Sequence, residues 1–187
     1  MPFELIARAQ QHCRQRLAQA FDAFCGDDPR QSRLELREPE QLPSRERVRL
    51  PYEDGEFDWV ACHELIETFG SHERQVRLLR ELLRIARRGI FVSTPNRGHP
   101  MARWLYPERH ARLLDALAIK TMVDVLPGRP VWKLGHVRLL GFKSHYFLMV
   151  WKEGMAAQPG QGAEPGPQAE GPQGGEPAPP AASVRPR

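Results

Sequence analysis

His63 is the residue in this sequence best suited by type and position to do chemistry. It stands in Cys62-His63-Glu64, directly after the apolar run Phe57-Asp58-Trp59-Val60-Ala61. Thr94-Pro95-Asn96-Arg97 follow Ile90-Phe91-Val92-Ser93 in the same way. If the two runs are neighbouring parallel strands, both clusters open onto one crevice, because α/β sheets bind ligands beyond the carboxyl ends of their strands. An imidazole titrates near neutral pH, so His63 could remove a proton as a general base. The competing role is structural, a histidine that caps or packs against the next helix. Thr94, Asn96 and Arg97 would offer a hydroxyl, an amide and a guanidinium to a substrate. His99, His110, His136 and His145 lack the spacing that metal binding favours, and no metal site is expected.

The flanking pattern supplies elements to hold these clusters. Ile6, Ala9, Cys13, Leu17, Phe21 and Phe24 recur every three or four residues and predict an amphipathic helix that stops near Gly26. Leu34-Glu35-Leu36 suggests a short strand, and Asp54-Gly55 a turn before the run at 57. Ser71 suits a helix N-cap, with Val76, Leu79 and Leu83 on the apolar face. Arg87, Arg88 and Gly89 read as its end. Ile90–Thr94 is apolar enough for an interior parallel strand. Residues 108–117 read as helical with Leu113, Leu114 and Leu117 inward, Ile119, Thr121, Val123 and Val125 as a strand, and Tyr146–Trp151 as another. The order argues for an α/β layer fold.

Three parts are expected: an N-terminal helix in 1–30, an α/β domain in 31–152 and a tail in 153–187. The tail holds eight prolines and seven glycines with no aromatic residue, a composition that cannot build a core and is expected to be disordered. No apolar run spans a bilayer and no signal peptide opens the chain, so a cytoplasmic protein with no membrane partner is expected. Cys13, Cys25 and Cys62 are odd in number and widely spaced, which suits reduced, buried thiols. The formal charge of +4 is patterned: residues 51–70 carry six carboxylates and no Lys or Arg, whereas 125–152 carry five basic residues and no acid.

Four segments in order resemble class I S-adenosylmethionine-dependent methyltransferases. They are Leu50-Pro51-Tyr52-Glu53-Asp54-Gly55-Glu56-Phe57-Asp58-Trp59-Val60, then Glu64-Leu65-Ile66-Glu67, then Leu79–Gly89, then Ile90–Asn96. The resemblance covers about residues 42–152 and implies a Rossmann-like sheet with flanking helices and a last strand inserted antiparallel between two others. It also implies S-adenosylmethionine as the possible cofactor, held near Cys62, His63 and Glu64. Arg37-Glu38-Pro39-Glu40-Gln41-Leu42-Pro43 is similar to a family segment that would set Glu38 near the adenine, and Arg45–Leu50 is a second possible alignment. The family's opening half, a strand entering a glycine-rich loop, has no counterpart: Gly26 is the only glycine before residue 50.

Three functions follow from these readings. The first is a methyltransferase-family domain with a divergent or incomplete cofactor site, noncatalytic or dependent on a partner. A homo-oligomer or heteromeric partner would then cover the open sheet edge. The second is an active methyltransferase with an unusual pocket. The third is a nucleic-acid-associated module, because Trp132, Lys133, His136, Arg138, Phe142, Lys143, His145 and Tyr146 mix cations with aromatic rings.

Overall fold

A computed structural model describes residues 3–42, 48–107 and 113–152. The tail expected in 153–187 and residues 108–112 of the helix expected in 108–117 lie outside the described residues; of the remainder, 113–115 are not helical and the helix begins only at Ala116. Helix α1 (Phe3–Cys25) leads into β1 (Arg33–Leu36), and a short 3-10 turn (Pro39–Gln41) follows. β2 (Phe57–His63), a second 3-10 turn (Ile66–Phe69), α2 (His72–Ile85) and β3 (Ala86–Pro95) come next. The described residues end with α3 (Ala102–Leu105), α4 (Ala116–Asp124), β4 (Val131–Leu139) and β5 (Phe142–Trp151).

The five strands form one sheet in the order β1-β2-β3-β5-β4. β1, β2 and β3 are parallel, and β5 runs antiparallel between β3 and β4. This is an incomplete Rossmann-like α/β sheet with flanking helices and an inserted antiparallel strand. Alternation explains its two faces. Leu34, Val60, Ile90, Val150 and Trp132 are paired in register across all five strands, and they pack in one core against α2 and α4. Next along the strands, Ala61, Phe91 and Met149 face the other way and meet Cys13, Leu17, Phe21 and Phe24 of α1. The helix read at residues 3–25 is therefore one outer layer of the sheet. All three cysteines are buried and free.

Two elements differ from expectation. Residues 116–124 are helix, and the strand read at Ile119–Val125 does not form. Asp115 caps this helix by accepting from the Ala118 amide at 2.8 Å, while Ile119, Met122 and Val123 bury one side. The inward set thus has helical spacing, and alternation of β-branched residues was a coincidence of the same positions. Leu117, expected inward, is 69% exposed. The second difference is at the end of α2, where Arg87, Arg88 and Gly89 belong to β3 and do not cap the helix. Gly89 is required there by close approach: a Cβ would lie 2.4 Å from the Val150 carbonyl oxygen.

Tertiary polar contacts fix the loops around this frame. Asp58 accepts from the Ser32 amide and hydroxyl at 3.0 and 3.1 Å, and Arg87 donates to its other oxygen at 3.2 Å. Glu81 accepts from the Leu50 amide at 2.7 Å and is paired with Arg84, which also reaches Asp54. The acidic turn before β2 is thereby tied to the end of α2.

Candidate functional site

The carboxyl ends of the parallel strands meet beside α1 and enclose a cavity of about 140 Å³. Its lining is Arg14 and Leu17 from α1, Arg37, Glu38 and Pro39 after β1, and His63 and Glu64 at the end of β2. Three of the residues expected at the cofactor site, Glu38, His63 and Glu64, therefore share one pocket. Cys62 does not share it through its side chain. It is fully buried on the α2 face of the sheet, where burial and the nearby Glu67 carboxylate push its thiol pKa up.

His63 is held on the α1 face between Phe21 and Phe91, with ring centroids 6.1 and 5.8 Å away. Its Nδ1 lies 3.3 Å from Ser93 Oγ, and its Nε2 lies 3.4 Å from Glu35 Oε2, an ion-pair distance without hydrogen-bond geometry. Burial lowers its pKa to about 4, and the Arg37 guanidinium acts in the same direction against the carboxylates of Glu35 and Glu64. The imidazole is neutral at pH 7 and free to accept a proton, but it is a weaker base than one poised near the working pH.

Glu64 has φ 54°, a left-handed conformation that a residue with a Cβ adopts only where its surroundings enforce it. Its amide donates to the Ser93 carbonyl at 2.9 Å. Its Oε1 lies 3.3 Å from Nε2 of His145, which is fully buried on β5. Tyr106 Oη sits 2.8 Å from the same nitrogen, and Nδ1 of His145 is 3.2 Å from Ser144 Oγ, which is itself 3.4 Å from the Cys13 sulfur. Burial opposes charge on His145, yet hydrogen bonding to Cys13 and Glu64 and the Glu64 carboxylate raise its pKa to about 9. A cationic imidazole thus backs a carboxylate that faces the pocket.

The residues expected to bind substrate are placed otherwise. Thr94 is buried on the α2 face and donates to Glu67 Oε2 at 3.2 Å. Asn96 donates to the Lys143 carbonyl at 2.7 Å and accepts from the Gly98 amide at 2.8 Å. Arg97 is exposed, with its amide bonded to the Leu114 carbonyl. None of the three lines the pocket. Sequence reasoning overlooked Arg14, Arg37 and Glu35 at the pocket, and His145 and Tyr106 behind it. Arg37 stood next to a noted residue. His145 left one signal, a histidine at the start of an apolar strand, where burial demands a partner.

The pocket is smaller than those that usually hold a ligand of the size of S-adenosylmethionine. Pockets for ligands of that size hold roughly 300 Å³ or more, twice the volume found here. The segment after β1 is Arg37-Glu38-Pro39, without a glycine, and the pocket sets the guanidinium groups of Arg14 and Arg37 beside the carboxylates of Glu38 and Glu64. Among the described residues, no group of three His, Cys, Asp or Glu is arranged to hold a metal, and no helix is long and apolar enough to cross a membrane.

Residues 10–93 match the family described as "Methyltransferase domain". No curated protein matches the chain. Among solved structures, a SAM-dependent methyltransferase from Aquifex aeolicus aligns at 11% identity over 55% of this chain and 50% of its own, with a TM-score of 0.40. A possible histamine N-methyltransferase from Thermotoga maritima aligns at 14% over 59% and 62%, also at 0.40. Magnesium protoporphyrin IX methyltransferase from Synechocystis, a structure with bound SAM, aligns at 15% over 61% and 43%, at 0.35. The chain thus spans less than two thirds of each of these proteins. The family match begins inside α1, well upstream of the stretch near residue 42 where the resemblance starts. Over residues 10–93 the chain matches the pattern of the methyltransferase domain family.

Proposed function

We propose that this chain is a methyltransferase-family subunit whose cofactor site is incomplete, either noncatalytic or completed by a partner. The observation that carries this reading is the pocket itself: about 140 Å³, bordered by Arg14 and Arg37, at the strand ends where the family's fold binds its ligand. A homo-oligomer or a heteromeric partner would supply what the strand ends lack. The sheet edge is a weaker reason for a partner. β1 is only four residues long and carries Arg33 and Glu35, and short, charged edge strands resist pairing.

The second reading is an active methyltransferase with an unusual pocket. It is favoured by the convergence of Glu38, His63 and the strained Glu64 on one cavity. In that case alignment of the acceptor would provide most of the catalysis, with His63 as the proton acceptor. Calorimetric titration of the purified chain with S-adenosylmethionine and S-adenosylhomocysteine separates the two. An incomplete site gives no saturable heat up to millimolar ligand; saturable binding in the micromolar range would replace it with the active-enzyme reading.

A further inference from the structure

We propose that the end of the molecule formed by the first turn of α1, by α3 and by the turn of the β4–β5 hairpin rests on the surface of an anionic lipid bilayer. Seven large apolar side chains stand exposed among the described residues, and four of them are here: Leu5 on α1, Trp104 on α3, Leu140 in the hairpin turn and Phe142 at the start of β5. Each is more than half exposed. Exposed apolar side chains gathered at one place mark an interaction surface, whereas scattered ones need no account.

The three elements are held together by a small core of their own. Ile6 and Ala9 of α1, Met101 and Leu105 of the segment carrying α3, and Leu139 of β4 pack in one cluster. Gln10 Nε2 donates to the Leu105 carbonyl at 2.9 Å. His99 Nδ1 accepts from the Met101 amide at 3.2 Å, so Nε2 carries the proton and reaches the Leu139 carbonyl at 3.4 Å. The Phe142 ring meets the His99 ring edge-on, with centroids 6.1 Å apart. Leu5, Trp104 and Leu140 each adjoin a member of this cluster in sequence and turn outward from it. Their heights agree as well. α1 runs opposite to β4, because Ile6 packs with Leu139 while Phe24 meets Trp151, the partner of Val131. Cys13 packs with Val137 midway. From that level Leu5 lies about 12 Å up the helix and Leu140 about 10 Å along the strand.

Arginines stand beside these side chains. Arg103 precedes Trp104, Arg8 neighbours Leu5 one turn along the helix, and Arg97 enters the loop that His99 fixes; all three are exposed. Across residues 3–10, 96–107 and 139–143, Glu4 is the one carboxylate. An anionic bilayer complements that charge, and aromatic rings beside cations suit the headgroup level, where such side chains concentrate. A protein partner would instead favour an apolar centre stripped of charge. The inference is independent of how the strand-end pocket is read. Sequence reasoning expected no membrane partner because it sought spanning runs, and four residues from three parts of the chain leave none. The cations and rings of residues 132–146 do not make one surface for nucleic acid: Trp132 and Tyr146 pack in the core, and Phe142 and Lys143, adjacent in β5, point to opposite faces.

The test is sedimentation of the full chain with vesicles of phosphatidylcholine, with and without phosphatidylserine, at several salt concentrations. Retention on the anionic vesicles that falls as salt rises is expected, with little on phosphatidylcholine alone. Trp104→Ser combined with Leu140→Ser should lower the partition coefficient about ten-fold or more. Arg97→Gln with Arg103→Gln should lower it about twenty-fold at low salt, roughly five-fold for each cation at the surface. Leu117→Ser, at another exposed leucine on α4, should match the parent. No retention on anionic vesicles at low salt would overturn the proposal, as would equal retention by the Trp104→Ser, Leu140→Ser variant. So would self-association of the parent that this variant abolishes while vesicle retention stays unchanged, which would mark the surface as a contact between proteins.

Discussion

Two buried histidines at the strand-end pocket respond to their surroundings in opposite ways, and the contrast has a consequence for stability. His145 gains a carboxylate partner in the fold and its pKa rises to about 9, above the reference of about 6.5 expected when unfolded. The stability it contributes is complete below about pH 6.5 and is lost as pH rises toward 9. His63 is desolvated and faces Arg37, and its pKa falls to about 4. Folding favours its neutral form, so its contribution is complete above about pH 6.5 and is lost as pH falls toward 4. Urea unfolding between pH 5 and 9 should therefore show a maximum near pH 6.5, and His63→Gln should flatten the acid limb while leaving the alkaline limb in place. An acid limb unchanged by that substitution would mean that the carboxylate of Glu35, 3.4 Å from Nε2, holds the imidazole protonated in the fold.

At the scale of elements, the junction of α2 and β3 shows how much one missing side chain can decide. Gly89 lies in β3 between Trp59 of β2 and Trp151 of β5 in register, and a Cβ there would sit 2.4 Å from the Val150 carbonyl and 3.0 Å from the Trp59 ring. Gly89→Ala must push β5 away from β3, and chemical denaturation should register a loss of about 1–3 kcal/mol; an unchanged midpoint would show that the sheet yields without cost. The sequence pattern placed this glycine at a helix end because Arg-Arg-Gly is also the chemistry of a C-terminus. Local chemistry could not reveal that β3 begins at Ala86, immediately after Ile85. By contrast, β2, the apolar part of β3 and β5 were legible, since buried strands show as short apolar runs. α4 was not, because Ile119 and Val123 satisfy both an alternating and a helical reading until Met122 and the Asp115 cap are counted.

For the molecule as a whole, the arrangement joins a methyltransferase-like sheet to a strand-end pocket of about 140 Å³, which we propose is incomplete as a cofactor site. The absent glycine loop was visible in the sequence, and Glu38, His63 and Glu64, expected together, line one pocket at the strand ends. The sequence could not show what fills the space. Arg14 comes from α1, Glu64 meets His145 of β5, and Tyr106 meets that histidine in turn, so their proximity exists only after the sheet closes. Thr94 illustrates the same limit from the other side: position after a strand put it near the crevice, but the strand's alternation turned its hydroxyl to Glu67. The central claim is that this chain alone does not hold S-adenosylmethionine at its strand ends. It is tested most directly by following the backbone amides of residues 36–39 and 63–64 by two-dimensional NMR while S-adenosylhomocysteine is added to the isolated protein. Unmoved resonances through millimolar ligand are expected. Saturable shifts confined to those amides would contradict the account, because they would show a working cofactor pocket between β1 and β2.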